Sequence, residues 1–359
     1  MIRSNSGGDA SCCPPLDHSR QTTRFAALCM FLSAIEFLIP KPLPFLRVGL
    51  ANIPLLLAID VLNLPSFCVL VLLKILGQAL VTGSLFSYVF LFSAAGSFAS
   101  AGLMWLLKKS LHRWISCIGL SLAGAFASNA AQLILARYYI FGETAWYIAP
   151  PFFAAGTVTG FLLGMFANKF ANESSWYAQM QDQRNLRQDA SARESRTRES
   201  GSFRAGFAQP GIRRLGIGIP FFAILLFSSN LLLLAAVVLI SIILVRLDKR
   251  KIHVVPAIIT VLAIIAFNLA VPFGKVIWEG FGITITRGAL EEGIKKALLM
   301  EGLLFVSRWI LAYGLVLPGK FGLLVSDTLS LFTRFGQAAG GIDPRNIVKS
   351  IDAIMNELD

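Results

Sequence analysis

The sequence predicts an all-α integral membrane protein, a six-helix bundle followed by about four further transmembrane helices. Three observations predict it. Of the 359 residues, 55% are hydrophobic and only 14% charged, whereas soluble chains carry roughly 25% charge; the mean hydropathy is +0.68. Apolar runs approaching or exceeding the ~20 residues that cross a bilayer recur along the chain. The basic residues gather between those runs, where they orient spans, so the net charge of +12 is not read as a nucleic-acid surface.

Taken in order, residues 1–24 are polar, with Arg3, Arg20 and Arg24 but no apolar core. They read as a disordered cytoplasmic leader rather than a cleavable signal. Residues 25–168 form the first module. Its spans are 25–39, ended by Pro40-Lys41-Pro42, then 48–64, 67–81, 86–107, 115–136 and 147–167. With the N-terminus cytoplasmic, Arg20, Arg24, the basic group at 108–113 and the segment after Lys169 share one side, and the loop 41–47 faces outward. The expected location is the inner (cytoplasmic) membrane, crossed several times.

Residues 169–214 read as a basic, flexible cytoplasmic linker, arginine-rich and without periodicity. Residues 215–335 form the second module. Within it, 217–245 is too long for one span, and Ser228-Ser229-Asn230 predicts two short helices joined by a tight turn. Residues 256–271 cross again and 273–287 form an external segment. A long helix then opens with Glu291 and Glu292 four residues before Lys295 and Lys296, the favoured order for helical ion pairs. Residues 336–359 read as a cytoplasmic tail, preceded by an amphipathic piece at 323–335.

Polar side chains inside spans are costly and mark candidate sites. Arg47 stands at the mouth of the first bundle, and Glu36, Asn52, Lys74, Gln78, Asn129 and Gln132 fall level with it, in the outer half or middle of their helices. Lys74 and Gln78 are four apart and Asn129 and Gln132 three apart, so each pair shares a face. Two cations, one acid and four amides suit a small ligand with an anionic group and several hydrogen-bonding atoms. Flavins, thiamine-like compounds and phosphorylated small molecules fit. The alternative is that Glu36 and Lys74 neutralise each other, the amides tie spans together and Arg47 snorkels.

Two further patterns concern packing. Gly156, Gly160 and Gly164 line one face of their helix, as do Ala123, Ala127 and Ala131, which lets backbones approach closely. Such ridges pack the bundle internally or form a module–module sliding surface. Glu301 and Arg308, seven apart, form a buried charge pair in the second module or couple it to the first. Enzyme readings fare poorly. There is no Asp-Asp pair to hold magnesium against diphosphate, and His18, His112 and His253 are scattered. The five cysteines show no paired spacing. No catalytic, metal or cofactor set is expected.

On Leu46-Arg47-Val48-Gly49-Leu50-Ala51-Asn52, Thr82-Gly83-Ser84-Leu85-Phe86-Ser87 and Gly124-Ala125-Phe126-Ala127-Ser128-Asn129-Ala130-Ala131-Gln132-Leu133, residues 25–168 resemble the Gx transporter family. That family is related to the substrate-binding (S) components of energy-coupling-factor vitamin transporters and is also labelled heptaprenyl diphosphate synthase component I. Where its pattern has a histidine before the asparagine, this chain has Ser128, so no imidazole role carries over. On the Ser228-Ser229-Asn230 turn and on 282–290, residues 215–335 look like the first four helices of a transmembrane (T) component, without the long coupling helices that seat on ATPase subunits. The resemblance implies a transporter of a small anionic vitamin-like metabolite, with the bilayer as its setting and a separate T component and ATPase subunits as partners. The missing helices keep open a non-catalytic scaffold subunit of a prenyl/quinone-synthesis or flavin-based redox assembly.

Overall fold

A computed structural model describes residues 18–38, 48–111, 114–142, 145–182, 209–228, 230–248, 254–270, 274–280, 283–311, 319–338 and 346–357. The expectations placed on 1–17, on 39–47 with Arg47, and on linker residues 183–208 lie outside these. The described residues are helical almost throughout, as the apolar runs predict. Among the described residues four helices are long and apolar enough to cross a bilayer, fewer than the sequence suggested.

The first module begins with α1, His18–Leu38. It starts within the stretch read as a disordered leader, and Gln21, Thr22, Thr23 and Arg24 are buried. The stretch read as a second span is broken instead. Gly49 has φ 90°, a left-handed conformation that glycine adopts without a Cβ penalty. It leads into a single 3-10 turn, Leu50–Asn52, and a six-residue helix α2, Ile53–Ala58, with Pro54 in its first turn. Asp60 follows and pairs with Lys108 at 2.6 Å.

Four full-length helices come next: α3, Leu64–Thr82; α4, Tyr88–Ser110; α5, Cys117–Ala136; and α6, Ala145–Glu173. A π turn, Arg137–Phe141, extends α5. α3 stops at Gly83, again left-handed, whose N–H reaches back to the carbonyls of Ala79 and Leu80. A short helix α7 covers 175–182.

The second module comprises α8, Gln209–Phe227; α9, Leu231–Leu247; α10, Val254–Leu269; and α11, Arg287–Ile310. The α8–α9 turn falls at 228–230, where the Asn230 side chain accepts from the Leu232 N–H at 3.0 Å and caps α9. The segment read as an external loop holds an antiparallel hairpin, β1 Val276–Gly280 and β2 Ile283–Thr286. Among the expected helical ion pairs, Lys296 lies 3.5 Å from Glu292.

The largest departure is at the C-terminal end, read as a tail. Helices α12, Gly319–Ala338, and α13, Ile347–Glu357, are both amphipathic and pack on the first module. α12 lies along α1 and α3, with Phe335 stacked on Phe31 at 5.9 Å, and α13 meets α6. Val325, Phe335, Ile351 and Met355 share one core with Phe25, Leu55, Leu70 and Trp176. A second core joins the modules through Tyr88, Phe92, Ile140 and Phe152 on one side and Ile264, Ala297 and Met300 on the other. The third lies within α8, α9 and α11.

Asp352 fastens α13. Its carboxylate accepts from the hydroxyls of Ser174 and Ser175 and from the backbone N–H groups of Ser175 (3.2 Å) and Trp176 (3.0 Å), the start of α7. Burial alone would raise this carboxyl. The hydrogen bonds outweigh burial and hold it below its ordinary value of 3.8. A carboxylate depressed in this way stabilises the docked helix above that ordinary value, and the contribution fades as pH falls through the lower, folded-state one. Asp352→Asn should therefore loosen α13 at neutral pH, seen as faster proteolysis within 346–357. Wild type should reach the same susceptibility only below about pH 4.

Candidate functional site

A polar cavity lies inside the first module, walled by α1, the broken segment 48–58, α3, α4, α5 and α6. Five of the predicted site residues line it: Glu36, Asn52, Lys74, Asn129 and Gln132. Gln78 stands behind the wall, where its Oε1 accepts from the Ser93 hydroxyl at 3.3 Å. Arg47 lies outside the described residues, next to Val48, which does line the cavity.

Each wall follows from local sequence. Glu36, near the end of α1, accepts from three successive backbone N–H groups, those of Val48 (2.8 Å), Gly49 (3.2 Å) and Leu50 (3.0 Å). Only the left-handed turn at Gly49 lets these amides converge on one carboxylate, a nest of the kind that binds anions. The acid thus has a structural task that spacing did not suggest: it ties the broken helix to α1. Lys74, 2% exposed, donates to the Asn52 carbonyl oxygen. The pairing of amide and ammonium brings α2 and α3 together at the cavity.

On the opposite wall, Asn129 donates to the Phe152 carbonyl at 3.0 Å. A Cβ on Gly156 would fall 2.0 Å from the Asn129 Nδ2, so the glycine makes room for this amide. Gln132 donates to Ser128 Oγ at 2.9 Å. Gln132, 1% exposed, keeps an Oε1 with no hydrogen-bond partner among the described residues, and the same holds for the equally buried Ser100 hydroxyl.

Sequence reasoning missed the serines. Ser93, Ser97 and Ser100 on α4 and Ser121 and Ser128 on α5 all line the cavity, with Thr159 on α6. Their spacing of four, three and seven residues would have placed them on common faces. The cavity measures about 40 Å³, the scale of a few water molecules. A flavin-sized ligand enters only if a wall moves, and the segment 48–58 is the wall made of short, turn-linked pieces.

The glycine ridge closes the first module on itself. On adding a Cβ, Gly160 would meet Ala125 at 3.0 Å and Gly164 would meet the Ile118 Cα at 2.7 Å, both on α5. Ala123, Ala127 and Ala131 lie half-buried beside that face. Besides the second core, the modules meet at the α3–α4 turn and α11. There the Phe86 N–H donates to Ser307 Oγ at 3.0 Å and the Phe86 ring lies 5.9 Å from Phe222. Arg308 packs against Gly83, where a Cβ would come within 2.9 Å of its Cγ. Glu301, one helical face away from solvent, is 5% exposed.

The site holds donors and acceptors suited to binding. Residues 25–170 match the model of a family described as heptaprenyl diphosphate synthase component I, and residues 210–313 match one described as a domain of unknown function (DUF8519). No curated protein and no solved structure matches the chain. The first module, and with it every residue of the polar cavity, is thus similar to a family whose description is that of one component of a larger synthase.

Proposed function

We propose that this is a multi-pass membrane transport protein of energy-coupling-factor type, whose first module binds a small anionic metabolite in the polar cavity. The observation that supports it most is the pair of orphaned acceptors. Buried polar atoms almost always have a hydrogen-bond partner, yet Gln132 Oε1 and Ser100 Oγ, facing the same cavity as the Lys74 ammonium, have none among the described residues. A ligand with hydrogen-bond donors would satisfy both atoms, and a negative group on it would lie favourably beside the ammonium. The ligand class is narrower than the sequence suggested: a compact anion fits with little rearrangement, and a vitamin-sized one requires displacement of 48–58.

In this reading the N-terminus is cytoplasmic, in the inner membrane, and the charge of Arg47, next in sequence to the cavity-lining Val48, draws anions inward. A separate T component and ATPase subunits supply the energy. The helices α12 and α13, which follow the second module in the sequence and pack on α1, α3 and α6, would carry movement between the modules.

The test is native mass spectrometry of the purified chain for a co-purified small molecule, repeated on Lys74→Met and Asn52→Ala. Losing the cation should lower ligand affinity by about 30–1,000-fold while the protein still melts cooperatively in detergent. Wild type without any bound small molecule, and variants altered only in melting temperature, would sink the reading. A second reading is a non-catalytic membrane subunit of a prenyl-synthesis assembly, favoured by the description of the matched family. It expects prenyltransferase activity, and not a small molecule, to co-purify with the tagged chain.

A further inference from the structure

A second and quite different cavity lies in the second module. It is about 420 Å³, within the ~300–1,000 Å³ range of small-molecule sites, and is enclosed between α9, α10 and α11. Its walls are mostly apolar, among them Ile242, Ile258, Leu262, Leu298 and Phe305, with the solvent-exposed Arg246 also in the lining. Ile258 and Leu262 are exposed on the outer surface of α10, so the cleft opens sideways, toward lipid. One buried acid faces into it: Glu301, whose Oε2 has no hydrogen-bond partner among the described residues.

The chemistry of an occupant follows from these facts. Lipid tails are as apolar as the walls, so burying a chain here gains little over leaving it in the bilayer. What distinguishes an occupant is a bond to the unsatisfied carboxyl oxygen, which is costly to leave unmade in such surroundings. Arg308, seven residues along α11, already attracts Glu301 electrostatically. The missing partner is therefore a hydrogen-bond donor rather than a second cation. We propose that the cleft binds an uncharged lipid-soluble molecule bearing a hydroxyl head, with Glu301 accepting from that hydroxyl and the chain lying among α9, α10 and α11.

The experiment uses the full chain in phosphatidylcholine nanodiscs and two photoactivatable probes, a diazirine-bearing 16-carbon alcohol and its methyl ether. The alcohol should label peptides containing 257–265 and 294–305 at least fivefold more than the ether. Glu301→Leu should erase that preference, and Leu262→Trp, at the lipid-facing rim, should reduce labelling by the alcohol to the level of the ether. Equal labelling by alcohol and ether in wild type overturns the proposal, as does a preference that survives both substitutions. Neither outcome bears on the polar cavity of the first module, which shares no wall with this one.

Discussion

Glu36→Gln should lower the stability of the first module by about 2–4 kcal/mol and release the segment 48–52. Each hydrogen bond to a charged acceptor contributes about 1.5–3 kcal/mol. The carboxylate accepts three, all from consecutive backbone amides. Glutamine keeps one carbonyl oxygen and turns its other terminus into a donor that faces those N–H groups, so at most part of the set survives. The expected signature is local as well as global. Hydrogen exchange at the amides of Val48, Gly49 and Leu50 should speed up by about 30-fold or more, taking ~1.4 kcal/mol per factor of ten. Exchange in α5 and α6 should follow only the global change. Unaltered protection at those three amides would show that something other than this carboxylate holds the turn. Because Asn52 closes that turn and accepts from Lys74, the same substitution should also weaken any ligand that depends on them.

Gly164→Ala should be the most damaging small change in the bundle. The added methyl would lie 2.7 Å from the Ile118 Cα and 3.1 Å from the Ser121 Cβ, so α5 and α6 must separate. Overpacking typically costs about 1–3 kcal/mol, and here the obstacle is backbone rather than a flexible side-chain tip, which places the cost at the upper end. A fall in detergent melting temperature of about 5–10 °C is expected. Gly102→Ala is the matched control, since a Cβ there meets nothing within 4 Å and alanine favours the helix by about 1 kcal/mol. If the two variants melt alike, the close approach of α5 and α6 is not what holds the bundle.

Long apolar runs made α3, α4, α5 and α6 plain in the sequence, because hydropathy over some twenty residues is a strong signal. Asn52, Lys74, Asn129 and Gln132 were conspicuous for the opposite reason: an amide or ammonium inside such a run needs an explanation. The serines were not conspicuous. A serine in a helix can bond the carbonyl four residues back, as Ser241 does with Val237, so it passes for a neutral residue. The stretch 48–64 was apolar enough to read as a span. Its turn at Gly49 and its proline at 54 decide otherwise, and those are local conformational facts that hydropathy averages away. The tail was the hardest to read. The amphipathic faces of α12 and α13 advertise partners without naming them; α13 meets α6, and α12 lies on α3 and on α1, some three hundred residues earlier.

That last contact bears on how the polypeptide is made. Phe31 stacks on Phe335, and the core around Phe25 and Trp176 includes Ile351 and Met355. An amino-terminal bundle emerging from the ribosome would wait, its flank bare, until α12 and α13 had also been made. Expression of the front half by itself should thus call on chaperones or yield degradation products, whereas supplying the distal helices in trans should rescue it.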